Sequence, residues 1–155
     1  MLGIARDRLV GAAVKGMARP VVLATLAVRV DPDAERMALE SALEAGASLI
    51  VANLLLLPPY PATIMLAREY ATLPHEEDLE EVRATARRAA ALGIRTELLR
   101  ISSPRPLRAM LELVRDRNAG LLVFGPDRLR LGRWRFRSAA RTVRRDAPCL
   151  LWIAG

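Results

Sequence analysis

Apolar and polar positions divide the chain into alternating short runs and longer periodic stretches. Residues 21–28, 48–56, 121–124 and 149–153 are apolar runs with little alternation. Strands covered on both faces read this way. Residues 94–101 alternate more, with Ile94, Thr96 and Leu98 set against Arg95 and Glu97, which predicts a sheet edge. Between the runs, apolar residues recur at helical spacing. Met37, Ala38, Ala42 and Ala45 mark a helix over 34–45, with Asp33 as its N-cap and Gly46 as its stop. Leu79, Val82, Ala86, Ala89 and Ala90 mark another over 76–92, whose first turn (Glu76, Glu77, Asp78) reads as a solvated acidic start. Leu107, Met110, Leu111 and Val114 mark a third, and Phe136, Ala139, Ala140, Val143 and Ala147 a fourth. A short helix is expected over 62–73, cut by Pro74. Residues 2–18 also carry helical spacing, weakened by Gly11 and Gly16.

Strand and helix in strict alternation predict an α/β fold. Its parallel sheet has helices on both faces and right-handed crossovers. The chain then divides into an N-terminal helical extension, 1–19, and one α/β domain, 20–155. Sheets of this kind take ligands at the carboxyl ends of the strands, where the strand order reverses.

Composition sharpens the chemistry. Just over half of the 155 residues are hydrophobic and only 4% are aromatic, so Leu, Ala and Val must build the core. One cysteine, Cys149, and one histidine, His75, leave no material for a disulfide framework, a metal cluster or a Ser/His/Asp or Cys/His catalytic arrangement. Cys149 lies in an apolar run and reads as a small core residue. His75 reads as an exposed loop residue. Asp31 and Asp33 are the only carboxylates paired at an element end, and they read as turn and cap, so no catalytic function is expected. Charged residues interrupt the first 20 positions, and the longest apolar run, 49–57, is far shorter than the roughly 20 residues a bilayer span needs. A cytoplasmic location is expected. The net charge is +7, and residues 120–155 carry most of it, with eight arginines against Asp127 and Asp146. Such a balance permits an anionic partner.

The segment Leu121-Leu122-Val123-Phe124-Gly125, a loop, and then Arg137-Ser138-Ala139-Ala140-Arg141-Thr142-Val143-Arg144-Arg145-Asp146-Ala147-Pro148-Cys149-Leu150-Leu151 resembles the C-terminal signature of universal stress proteins. Residues 38–43 resemble that family's first helix, and Leu54-Leu55-Leu56-Leu57-Pro58-Pro59 its second strand and following prolines. The resemblance spans about residues 20–154. It implies a Rossmann-like three-layer sandwich with strand order 3-2-1-4-5. It also implies a homodimer formed through the last strand (Leu150, Leu151, Trp152, Ile153) and, in many members, ATP or AMP as ligand.

The family's nucleotide pattern is Gly-x2-Gly-x9-Gly followed by Ser or Thr, with an Asp after the first strand. Here the first glycine is Gly125 and the second position holds Arg128. The third falls on Arg137 followed by Ser138, or on Ser138 followed by Ala139. Gly132 stands within the loop. The aspartate is Asp31 if the first strand runs on to Val30; if it stops sooner, Ala27 takes that place. Arginine at 128 and 137 removes the close approach that glycine allows, while supplying guanidinium forks for phosphate oxygens. The first reading is therefore a non-catalytic regulatory or stress-response domain that lacks the usual ATP site. The second is a sensor of ATP, AMP or another phosphorylated ligand through Asp31, Gly125, Arg128, Gly132, Arg137 and Ser138. The third is a nucleic-acid surface along 128–145, where Trp134 and Phe136 interleave with arginines. Membrane contact by the N-terminal helix ranks below its packing on the domain or a partner subunit.

Overall fold

The computed structural model describes residues 18–57 and 75–154. The helices expected over 2–18 and 62–73 lie outside the described residues, save for Ala18 at the end of the first. Five strands form one parallel sheet in the order β3-β2-β1-β4-β5, as the resemblance implied. They are β1 (Val21–Thr25), β2 (Leu49–Leu56), β3 (Thr96–Ser103), β4 (Leu121–Phe124) and β5 (Leu150–Ile153). β1 is central: Val21 stands beside Leu49 on one side and Leu121 on the other. The alternating strand β3 is an edge, and β5 is the opposite edge.

The helices are α1 (Pro32–Ala45), α2 (Glu76–Ala91), α3 (Pro106–Asp116), the single turn α4 (Arg128–Leu131) and α5 (Arg133–Asp146). Successive strand residues point to opposite faces, so the sheet divides the apolar interior in two. Val21, Leu23, Leu49, Val51 and Val123 face a layer built on Ala34, Ala38 and Ala42 of α1 and Val82 and Ala89 of α2. Val22, Ala24, Ile50, Leu54, Leu122 and Phe124 face Met110, Leu111 and Val114 of α3 and Phe136, Ala139, Ala140 and Val143 of α5. Alanine supplies most of the buried helix positions named in the first layer, in keeping with the scarcity of aromatic side chains.

Several boundaries differ from expectation, each for a local reason. β1 ends at Thr25, not at 28, because the buried Thr25 Oγ1 donates to Val28 O at 2.6 Å and folds the chain into a turn. α1 is capped by Asp31, not Asp33. The Asp31 carboxylate accepts from the N–H groups of Asp33 and Ala34, and Pro32 takes the first helical position, where its fixed φ fits and its missing N–H costs nothing. β3 runs two residues later than expected, through Ser102 and Ser103, because it pairs with the whole length of β2. The arginine segment is not an open loop to Ser138. Asp127 caps α4, and after the Gly132 corner α5 begins at Arg133.

Candidate functional site at the carboxyl edge of the sheet

The strand order reverses between β1 and β4, so the crevice of such a sheet lies beyond their carboxyl ends. The two segments that leave these strands are tied to each other there. Val30 and Pro126 form an antiparallel bridge. Asp31 N donates to Gly125 O and Asp127 N to Arg29 O, both at 2.9 Å. A Cβ placed on Gly125 would overlap the Cβ of Ala34, in the first turn of α1. Glycine is required here because the helix presses on the strand end.

The β1–α1 segment is fixed from below as well. Ala27 adopts a left-handed φ of 60°, unusual for a residue with a Cβ. Its N–H is held by Asn53 Oδ1 of β2 at 3.0 Å, and Asn53 is only 3% exposed. From the side, α2 contributes Asp78, 1% exposed in its first turn. One oxygen of Asp78 accepts from Arg29 N at 3.2 Å, Arg29 Nε at 3.0 Å and Arg130 Nε at 3.2 Å. Glu77 lies 3.4 Å from Arg29 Nη2 and 3.3 Å from Arg130 Nη2. The Arg29–Glu77 approach is an ion pair without hydrogen-bond alignment, so that nitrogen is buried without a hydrogen-bond acceptor among the described residues. The bond to Asp78 holds the Arg29 guanidinium above its ordinary pKa. The acidic start of α2, expected to be solvated, is thus partly an internal clamp. Its two carboxylates draw together the segment after β1 and the arginine segment after β4.

The loop after β4 is similarly occupied. Gly125 N donates to Ala24 O, Asp127 N to Arg29 O, Leu131 N to Asp127 O and Gly132 N to Arg128 O. Leu129 N and Arg130 N both donate to Asp127 Oδ1, at 2.9 and 3.2 Å. Pro126 has no N–H to give. The Asp127 carboxylate stands where an anion would meet the start of a helix.

The residues expected at the site separate into two groups. Asp31 and Gly125 meet through a backbone bond, but the Asp31 carboxylate serves as helix cap. Arg128 starts α4, its guanidinium 4.9 Å over the Phe136 ring. Gly132 forms the α4–α5 corner with φ 96°, a conformation that favours glycine. Arg137 and Ser138 lie more than a turn inside α5, where backbone N–H groups are used by the helix. Arg137 instead sits 5.6 Å over the Trp134 ring. Of the single histidine and cysteine, His75 takes the N-cap position of α2 without a side-chain capping bond. Cys149 packs partly buried before β5, and burial pushes its thiol pKa up. Sequence reasoning missed Arg29, Asn53, Asp78 and Asp127. The available signals were Asp127 four residues before the Leu-Gly of 131–132, and Arg29 interrupting an apolar run.

A doubly wound parallel sheet with its helices on both faces and its crevice at the β1/β4 reversal defines a Rossmann-like α/β domain. The universal stress protein family matches residues 17–154, and the chain belongs to that family. The fold is similar to that of a universal stress family protein from Burkholderia pseudomallei, with 19% identity, TM-score 0.62, and 89% of this chain and 96% of that chain covered. The universal stress protein UspA from Lactobacillus plantarum gives 16% identity, TM-score 0.66 and coverage of 89% and 98%. The universal stress protein from Archaeoglobus fulgidus in complex with dAMP gives 22% identity, TM-score 0.55 and coverage of 87% and 96%. Among curated proteins no sequence match is found.

Proposed function

We propose that this chain is a non-catalytic regulatory domain of the universal stress protein family whose crevice at the strand reversal is filled by its own residues and holds no nucleotide. The observation that carries this reading is the loop after β4, where Asp127 and neighbouring carbonyls take the N–H groups of Gly125, Asp127, Leu129, Arg130, Leu131 and Gly132. The Gly125–Ala34 contact and the Asp78 clamp support it, because a phosphate could enter only by parting them. His75 and Cys149 lie at opposite ends of the strands, which supports a role without nucleophilic chemistry. We further propose assembly as a homodimer through β5, an edge strand without charge whose Leu150 is exposed.

Relatives of similar fold have been solved with cAMP, dAMP and AMP bound, so the competing reading is a nucleotide sensor. Titration calorimetry with ATP, AMP and cAMP separates the two. Absence of heat at millimolar ligand is expected, and saturable binding that is lost in an Asp31→Ala or Arg128→Ala variant would establish the sensor. Light scattering tests the dimer: Leu150→Glu should give a monomer, and a wild-type monomer at tens of micromolar would refute it.

A further inference from the structure

The two most exposed large hydrophobic side chains among the described residues are Leu129, 95% exposed, and Trp134, 77% exposed. They stand on either side of Gly132, at the corner where α4 passes into α5. The corner is rigid from beneath. Leu131 and Phe136 are buried in the core, Arg130 is tied to Asp78, and Arg128 stacks on Phe136. Apolar tips held outward on a fixed support are unlike the scattered hydrophobics of an ordinary surface.

Arginines flank these residues along the chain, and Arg137 lies over the Trp134 ring. Arg133, Arg135, Arg137, Arg141 and Arg144 are exposed and make no ion pair with a carboxylate among the described residues. Both acids of the segment are engaged: Asp127 caps α4, and Asp146 pairs with Arg145 at 3.0 Å. Trp134, Arg137, Arg141 and Arg144 follow one another at helical spacing, so the basic stripe runs from the tips along the solvent side of α5. The opposite side of α5 is buried against the sheet.

We propose that this corner docks on an anionic phospholipid membrane, with Leu129 and Trp134 entering the interface and the α5 arginines lying over the headgroups. Charge complementarity selects the anionic surface, where each basic residue strengthens attachment. The apolar tips select a bilayer over a polynucleotide. Trp134 could stack on a base, but a fully exposed leucine gains nothing from a sugar-phosphate chain, whereas an interface receives both side chains. The mode is attachment from one side: among the described residues no helix is long and apolar enough to cross a membrane.

The test is co-sedimentation of the full chain with vesicles of phosphatidylcholine alone or with phosphatidylglycerol. Binding is expected only to the anionic vesicles and should weaken as salt rises. In a Trp152→Phe background the remaining tryptophan fluorescence is that of Trp134, and it should shift to the blue on binding. Each of Arg137→Gln and Arg141→Gln should weaken attachment roughly fivefold. The Leu129→Ser, Trp134→Ser double variant retains all charges and should weaken it roughly tenfold or more. Both side chains are exposed, so circular dichroism should confirm an unchanged fold. No binding to anionic vesicles would overturn the proposal. Unchanged binding of the double variant would also overturn it, as charge-only adsorption. So would tight binding of single-stranded DNA or RNA without vesicle binding.

Discussion

The carboxyl edge of the sheet and the outer side of the α4–α5 corner use the same side chain to opposite ends. At the sheet edge, Arg29 and Arg130 converge on one buried carboxylate, and the backbone N–H groups of Asp31, Gly125 and Asp127 are bonded within the chain. At the corner, a few residues further on, the arginines face solvent without carboxylate partners among the described residues, and Leu129 and Trp134 project beside them. Arginine content therefore does not locate a ligand site. What distinguishes the two regions is whether each charge already has a fixed partner, and that depends on α2, which the chain supplies from a distant part of the sequence.

The comparison breaks most severely at Gly125. Gly125→Ala should cost about 3 kcal/mol in chemical denaturation, because its Cβ overlaps Ala34. Adding Ala34→Gly should restore part of that loss, less about 1 kcal/mol for glycine in a helix. A Gly125→Ala variant of wild-type stability would mean the contact is absent. Asp78→Ala removes the shared partner of Arg29 and Arg130. Both arginines are partly exposed, so the cost should be about 2 kcal/mol rather than the larger figure for a fully buried pair. Removing Arg137 or Arg141 should leave the denaturation midpoint unchanged, which sharpens the contrast. Asp31→Ala should cost about 1 kcal/mol as loss of a helix cap, while Asp33→Ala should cost much less.

The smallest effect is pH dependence. Arg87 holds the Glu80 carboxyl below its ordinary value, and Arg117 and Arg145 do the same for Glu97 and Asp146. The folded state then binds these protons less readily than the unfolded one. Their contribution is complete above the ordinary carboxylate range and disappears as pH falls through the lowered values. Tm should decline modestly between about pH 5 and pH 3 and the decline should shrink at high salt, because these pairs are exposed.

The sheet was legible in the residues because burial on both faces leaves near-continuous apolar runs, and the polar alternation of 94–101 marked an edge. Four of the five strand starts lie within a residue of expectation; the fifth, β3, is displaced by its long pairing with β2. The site was less legible, since its geometry depends on contacts distant in sequence. Asp31 and Asp33 are equally good caps by type, and Pro32 between them decides for the first by fitting the first helical position. Asp78 looked solvated because its neighbours Glu76 and Glu77 are exposed; its burial depends on where Arg29 and Arg130 come to rest. Arginine at 128 and 137 marks, in the sequence itself, the departure from a glycine-lined loop. That α5 starts four residues before Arg137 could be read only from Asp127 and Gly132 acting as punctuation.

Hydrogen exchange at the Asp31 and Asp127 amides tests the closed crevice most directly. Both N–H groups bridge the segments leaving β1 and β4. They should exchange as slowly as amides of the central strand β1, and at the same rate with and without millimolar AMP. Rapid exchange in the free protein, slowed by AMP, would show a crevice that opens for a nucleotide and would contradict the account.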